Sequence, residues 1–427
     1  PWEKNIRQVV PYVPGEQPAG DKIVKLNTNE NPYPPAPGVK KVLEEMEADR
    51  LRKYPDPTAS ILVKELASYY GLNEDQVFVG VGSDDVLAMS FLTFFNSDKP
   101  VLFPDVTYSF YKVWADLFKV PFETPVLKED FTIDVKDYEK ENGGVIFPNP
   151  NAPTGVYMPL DQVEEILKAN QDVVVIVDEA YVDFAGPSAL ELLDKYENLL
   201  VVQTFSKSRS MAGMRIGFAM GHPDLIRALN DVKYSYNSYT MNLPSLLAGV
   251  EAVKDKEYFE KTIEKIVATR EHAKKRLTEL GFTFPNSQSN FIFASHKSVP
   301  AEKIFEALKK EQIYVRYFKT PGLDNSLRIS IGTDEEMDTL FRFLEAYLPK
   351  HILRLILKIL LPASGWFLLC FFGPRCLKFF MPFVIGWLIS MLANPLVRFL
   401  ERKLCLVRKH SSMVIVAGAL ALVIGLI

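Results

Sequence analysis

Two rhythms of apolar and polar residues run through the first 350 positions of this 427-residue chain. One is a series of short, uninterrupted apolar runs: VFVG (77–80), PVLFP (100–104), GGVIFP (143–148), DVVVIVD (172–178) and NLLVVQT (198–204). Each is followed by a turn and a stretch of helical period, the pattern of parallel strands buried on both faces of an α/β sheet. Helix patterns at 38–51 and 58–70 precede the first run, and a long charged helix pattern covers 251–280. A smaller α+β segment follows at about 281–350, with NFIFAS and SLRISIG as its strands. Residues 1–35 read as an extended arm, because Pro11, Pro14, Pro18, Pro32, Pro34 and Pro35 block any long helix. The expected organisation is the arm 1–35, a large α/β domain 36–250, and a linking helix with a small α+β domain over 251–350.

Beyond residue 350 the rhythm changes. Residues 359–373 and 379–397 carry no charge, and the run 413–427 is also uncharged, with the chain stopping inside it. A helix over 379–397 would be about 28 Å long, close to the ~30 Å of a bilayer core. Basic residues fill the expected loops between the runs, two in 374–378 and five in 398–410. The positive-inside rule then predicts two crossings, with 398–410 and the preceding soluble part on the cytoplasmic side. The alternative is a set of buried core helices, which the lack of any polar face disfavours for 379–397.

Charge and cysteine usage sharpen this division. Residues 351–427 hold nine Lys and Arg against the single acid Glu401, a net charge of +8, whereas residues 1–350 carry −12. An acidic first part argues against nucleic acid as a partner. All three cysteines, Cys370, Cys376 and Cys405, lie in the tail without metal-ligand spacing. A cysteine-free enzyme-sized segment suits a reducing compartment. The N-terminus is polar and proline-rich, so no cleavable signal peptide is expected there.

The most informative pair for chemistry is Asp178 and Lys207. Asp178 ends the run DVVVIVD, and Lys207 follows the next run through Thr204, Phe205 and Ser206. Ligands of open α/β sheets sit beyond the carboxyl ends of the strands, so both side chains are expected to face one crevice. A lysine there can form a Schiff base with a carbonyl cofactor, and a carboxylate can keep a pyridine nitrogen protonated. A lysine after a strand is ordinarily a solvated surface residue; the surrounding motifs change that balance.

TFSKSRSMAGMRIGF (204–218) resembles the cofactor-lysine segment of the class I/II pyridoxal-phosphate aminotransferases. With NTNENPYPP (27–35), RKYPDP (52–57), GVGSDD (80–85), PDVTYSFY (104–111), NPNAPTG (149–155), VDEAYVDF (177–184) and LRISIGT (327–333), nearly all of 1–350 resembles their histidinol-phosphate aminotransferase branch. The resemblance implies a fold type I pyridoxal-phosphate-dependent transferase with pyridoxal 5'-phosphate as cofactor. It implies transfer of an amino group between L-histidinol phosphate and 2-oxoglutarate in histidine biosynthesis. By the same resemblance Lys207 would hold the cofactor and move the α-proton, Asp178 would pair with the pyridine nitrogen, and Tyr181 would bond the ring oxygen. Ser206 and Arg215 would hold the cofactor phosphate. Gly82, Ser83 and Asp84 fit beside them, because GVGSDD follows a strand and opens a helix whose free N–H groups suit a dianion. An ordinary N-cap has the same composition.

Tyr108 would stack on the cofactor ring, the alternative being a packed core tyrosine. Tyr54 resembles the tyrosine that reaches the phosphate from a neighbouring subunit, which implies a homodimer; a turn tyrosine between prolines is the plainer reading. Arg328 would bind the acidic end of each substrate, a task suited to a guanidinium fork, with Arg316 assisting at the substrate phosphate. One departure stands out: the family often has Asn before Pro-Thr-Gly, bonding the ring oxygen, and here Ala152 stands in that place. Asn151 is then the expected substitute. Other activities on the same scaffold are aromatic-amino-acid transamination and phosphothreonine decarboxylation; a reading of another class is an inactive domain of a membrane protein.

The tail segment 379–412 resembles the start of an autoinducer-2-exporter type permease, including sporulation membrane proteins. Only its opening helices are present, so transport is not expected. A join of two neighbouring reading frames, by frameshift or by gene calling, is expected rather than an evolved tether, and the tail is expected to contact a membrane.

Overall fold

The computed structural model describes residues 1–20, 22–404 and 408–424. Pro1–Pro349 form one compact unit and Lys350–Ile427 a second. The first contains the strands β1 (Val24–Leu26), β2 (Val77–Gly80), β3 (Val101–Leu102), β4 (Phe122–Glu123), β5 (Gly144–Pro148) and β6 (Val175–Asp178). It continues with β7 (Leu199–Thr204), β8 (Gly217–Gly221), β9 (Phe282–Thr283), β10 (Phe291–His296), β11 (Ile313–Tyr317) and β12 (Leu327–Ser330).

The large sheet has the order β2-β8-β7-β6-β5-β3-β4. Its parallel core pairs Val145 with Val175 and Val175 with Leu199, and all three strands are buried throughout. Alternation explains why they read as unbroken apolar runs. Val177 and Val201 face one hydrophobic cluster, whereas Ile176, Leu200 and Val202 face the other. A strand covered on both faces needs apolar side chains at every position.

One strand breaks the parallel pattern. β8 runs antiparallel to both β7 and β2 and was not marked by any apolar run. Gly217 and Gly221 are its two ends, and Gly217 is demanded by close approach: a Cβ there would lie 2.2 Å from the Gly82 carbonyl carbon and the Ser83 nitrogen. The helix pattern at 38–51 is realised as Pro37–Glu44 followed by a 3-10 turn at Ala48–Arg52. The pattern at 251–280 is also not one helix. Leu243–Lys254 and Lys256–Glu279 are separated at Asp255, whose non-helical backbone lets its carboxylate accept from the Tyr258 N–H at 3.1 Å.

The smaller sheet has the order β1-β11-β12-β10-β9. Its edge strand β1 comes from the N-terminal arm and pairs in parallel with β11, Leu26 opposite Val315. The next residues, 27–31, therefore leave the small sheet toward the carboxyl ends of the large one.

In the second unit, the helix Asp334–Leu404 continues from the first, and a further helix spans Arg408–Ile424. Residues 374–378 and 398–404, expected as loops, are helical. The helix includes Pro374. In place of two separated spans there is, among the described residues, one apolar stretch, Ile356–Lys403, long enough to cross a membrane by length and composition. Cys370 and Cys376 are exposed; Cys405 lies outside the described residues.

Candidate active site

The cavity lies where the parallel strands end. Register places Pro148, Asp178 and Val202 side by side, and Thr204 pairs with Gly217, which in turn pairs with Gly80. The segments after β2, β5, β6 and β7 therefore open into one space of about 170 Å³. Ser83, Asp84, Tyr108, Asp178, Tyr181, Ser206, Lys207 and Arg215, all expected site residues, line it. Thr28, Glu30 and Ala152 line it too.

Asp178 forms the floor and is 4% exposed. Burial pushes its carboxyl up to about 6, opposed by hydrogen bonds from the Tyr111 hydroxyl at 2.7 Å and the Ala180 N–H at 3.3 Å. Tyr111 was not expected as a site residue. It lies on the helix Phe110–Phe118, three positions after Tyr108, and its ring is fully buried. Removing water from Asp178 favours its neutral form, and a cationic N–H placed against it would restore the charge.

Lys207 donates from Nζ to the Thr28 carbonyl at 3.1 Å and lies 5.9 Å from the centre of the Tyr181 ring. The backbone of the arm thus holds the amine at the cavity. Tyr181 receives a hydrogen bond from Asn29 Nδ2 at 3.0 Å and meets the Phe291 ring edge-on at 5.0 Å. Thr28 and Asn29 both belong to the segment after β1, so the small sheet positions two contacts at a cavity formed by the large one.

The opposite wall suits a phosphate. Gly82 has φ 86° and precedes the helix Ser83–Phe94, which has no side-chain cap at its N-terminus. Uncapped N–H groups at such an end attract a dianion. Arg215 lies against Gly82, where a Cβ would meet Nη2 at 2.6 Å, and pairs with Asp84 at 3.3 Å. Asp84 also accepts from the Tyr108 hydroxyl at 2.8 Å, and burial together with that carboxylate pushes the Tyr108 phenol well up. Ser206 accepts from the Thr204 hydroxyl at 3.0 Å, which leaves its own proton for a ligand. This cradle of glycine, uncapped helix, serine and arginine, beside a lysine and a buried carboxylate, fits pyridoxal phosphate.

Asn151 does not take the place left by Ala152. Its Nδ2 is committed to the Val106 carbonyl and the Thr154 hydroxyl, both at 3.0 Å, and its side chain is outside the cavity wall. Ala152 presents only a methyl group there. Tyr181 therefore remains as the hydroxyl donor on that side.

The two substrate arginines are neighbours across β11 and β12, where Arg316 stands opposite Arg328. Like charges in that position repel unless an anion joins them. Arg328 gives Nη2 to the Asn27 carbonyl at 3.1 Å, while its buried Nε has no partner among the described residues. Burial pushes its guanidinium down. Arg316 donates to the Val13 and Pro14 carbonyls of the arm at 3.3 and 3.4 Å. Neither lines the enclosed cavity itself. Tyr54 is absent from it as well: its side chain is 82% exposed and packs on Tyr239, ring centres 4.7 Å apart.

The same segments match known proteins. The chain is 53% identical over 333 residues to a histidinol-phosphate aminotransferase of Brachyspira hyodysenteriae, covering 78% of this chain and 94% of the relative. It is 53% identical over 336 residues to one of Clostridium acetobutylicum, covering 79% and 96%. A crystal structure of the Sinorhizobium meliloti enzyme of that name, in complex with pyridoxal-5'-phosphate, superposes with a TM-score of 0.69 at 25% identity, covering 77% of this chain and 91% of that one. The family model for aminotransferase class I and II matches residues 21–344, which contain every cavity residue described above. By sequence and by fold, the chain belongs to the class I and II aminotransferases.

Proposed function

We propose that the chain is a histidinol-phosphate aminotransferase: it interconverts L-histidinol phosphate and imidazole-acetol phosphate, with glutamate and 2-oxoglutarate as the second pair, using pyridoxal 5'-phosphate, in histidine biosynthesis. The observation that carries the reading is the convergence of Lys207, Asp178 and Tyr181 on one cavity whose far wall is built for a phosphate. The identity to relatives of that name supports the substrate.

When bound, the cofactor supplies a carbonyl that links to amines and a pyridine ring that draws electrons from the substrate's α-carbon. Lys207 Nζ would hold it, and the free amine would take the α-proton as a general base and return it as an acid. Asp178 keeps the ring nitrogen protonated, and Tyr111 orients that carboxylate. Tyr181 donates to the ring oxygen. The N–H groups at Ser83, the Ser206 hydroxyl and Arg215 neutralise the phosphate, with Asp84 aiming the guanidinium. Arg328, with an unpartnered Nε, takes the acidic group of each substrate in turn, and Arg316 adds a second charge.

The exposed Tyr54 supports a homodimer in which this residue reaches the phosphate in the other subunit's cavity. In the second unit, the exposed apolar stretch Ile356–Lys403 supports contact with a membrane, which would tether the enzyme on the cytoplasmic side.

The test is an absorbance titration of the purified chain loaded with pyridoxal phosphate. Loss of the visible band on adding L-histidinol phosphate, and recovery on adding 2-oxoglutarate, is the expected result. A response to phenylalanine alone would make it an aromatic aminotransferase. Release of carbon dioxide from phosphothreonine would make it a decarboxylase. A chain that forms no band would refute the cofactor assignment.

A further inference from the structure

Asn29 is 1% exposed and lies beside the cavity, and the proposed chemistry leaves it without a task. Its backbone is left-handed, φ 57°, a conformation that non-glycine residues adopt seldom and Asn more readily than most. Three small-domain contacts hold it. Its N–H donates to Ser330 Oγ at 2.9 Å, its Oδ1 accepts from the same hydroxyl at 2.9 Å, and its carbonyl accepts from Asn290 Nδ2 at 2.9 Å. Ser330 has one proton, which goes to Oδ1, and this decides which end of the Asn29 amide faces Tyr181. The free NH2 group points at the Tyr181 hydroxyl, 3.0 Å away.

A hydroxyl that accepts such a bond keeps its own proton for another acceptor and becomes a stronger donor through the chain of dipoles. The need for a strong donor is specific to this chain. Ala152 offers no hydrogen bond to the ring oxygen, and Asn151 has turned its amide to Val106 and Thr154. We infer that Asn29 is a positioning residue for Tyr181: fixed by Ser330 and Asn290, it directs the tyrosine proton into the cavity and strengthens the one donor left for the cofactor's ring oxygen. The inference rests on the aminotransferase reading and assigns this chain its own compensation for Ala152.

The test reads the pH midpoint of the visible band in the loaded full chain. A donor at the ring oxygen stabilises the state with one proton fewer at the Lys207 nitrogen, so losing the donor raises the midpoint. Asn29→Gly keeps the left-handed backbone without strain while removing the amide. It should raise the midpoint by about one pH unit. Tyr181→Phe should raise it further, and the double variant should match Tyr181→Phe alone, because Asn29 acts only through that hydroxyl. Ala152→Asn, added to Asn29→Gly, should bring the midpoint back down by supplying a direct donor. The other charged and titratable groups at or beside the cavity, Asp178, Asp84, Glu30, Tyr108, Tyr111, Lys207, Arg215 and Arg328, are unchanged in every variant. Ser330→Ala, which frees the Asn29 amide to turn, should move the midpoint in the same direction and serves if Asn29→Gly does not fold. An unmoved midpoint in Asn29→Gly beside a shifted Tyr181→Phe would overturn the inference while leaving the aminotransferase reading intact. A shift that adds fully to that of Tyr181→Phe, or no shift in Tyr181→Phe at all, would overturn it too. A parent chain that forms no band fails the underlying reading, and the inference with it.

Discussion

Arg215 lies so close to Gly82 that a methyl group on that α-carbon would meet Nη2 at 2.6 Å. The arginine reaches the phosphate wall only because residue 82 has no side chain, and from there it pairs with Asp84 at 3.3 Å. Gly82 also sits at φ 86°.

Gly82→Ala therefore meets two penalties, a displaced guanidinium and a positive φ that costs an L-residue about 1–2 kcal/mol. Equilibrium dialysis of pyridoxal phosphate should show at least tenfold weaker retention. Unchanged retention would remove Arg215 from the phosphate site.

Lys207→Ala should abolish amino transfer and the visible band, since Lys207 is the one lysine among the described residues that lines the cavity. Single-turnover assays with L-histidinol phosphate provide the check. Turnover at the parent rate would exclude Lys207 from the chemistry.

Asp178 gives a pH signature in the cofactor-free chain. Its carboxyl is raised by burial from 3.8 to about 6, so the folded state binds the proton more tightly than the unfolded one. Stability from this group is fully present below pH 3.8 and is lost as pH rises through about 6, an effect of about 3 kcal/mol. Asp178→Asn cannot ionise. Urea unfolding should show it gaining on the parent between about pH 4 and 6, then holding a constant lead, while its catalytic rate falls sharply. A constant stability difference across that window would contradict the assignment.

Tyr54 and Lys207 make a complementation test. If Tyr54 serves the neighbouring subunit, mixing Tyr54→Ala and Lys207→Ala chains creates heterodimers in which one cavity has both residues. Activity should rise well above either parent variant after subunit exchange. No recovery, with exchange verified by tags, would confine Tyr54 to its own surface contact with Tyr239.

Truncation after Leu348 should leave an active enzyme. Leu348 is 3% exposed and packs with the first unit, which ends at Pro349. Size-exclusion chromatography and the absorbance titration test this together. An aggregated or inactive fragment would make the apolar helix part of the enzyme.

Much of this protein was legible from residues alone. Buried parallel strands need apolar side chains on both faces, so β5, β6 and β7 announced themselves as unbroken runs, and strand-end chemistry followed from Asp178 and Lys207. The motifs then placed Ser83, Asp84, Tyr108, Tyr181, Ser206 and Arg215, and all of them line one cavity. Local pattern was weakest where distant groups impose the requirement. β8 is antiparallel and glycine-bounded because Gly217 must pass within contact of the Gly82–Ser83 peptide. Residues 374–378 separate two uncharged runs in the sequence, yet they are helical.

The hydrogen-bond partners were decided by tertiary structure. Asn151 and Ala152 are adjacent in sequence, yet one is anchored away from the cavity by Val106 and the other lines it. Asn29 reaches Tyr181 from 152 positions away, and Tyr111 reaches Asp178 from 67. Such bonds depend on where separate elements bring their ends together, information that no local period of apolar and polar residues contains. Sequence determined β5, β6, β7 and the family; where the segment after β1 and the helix Phe110–Phe118 meet the strand ends decided which side chains hold Tyr181 and Asp178.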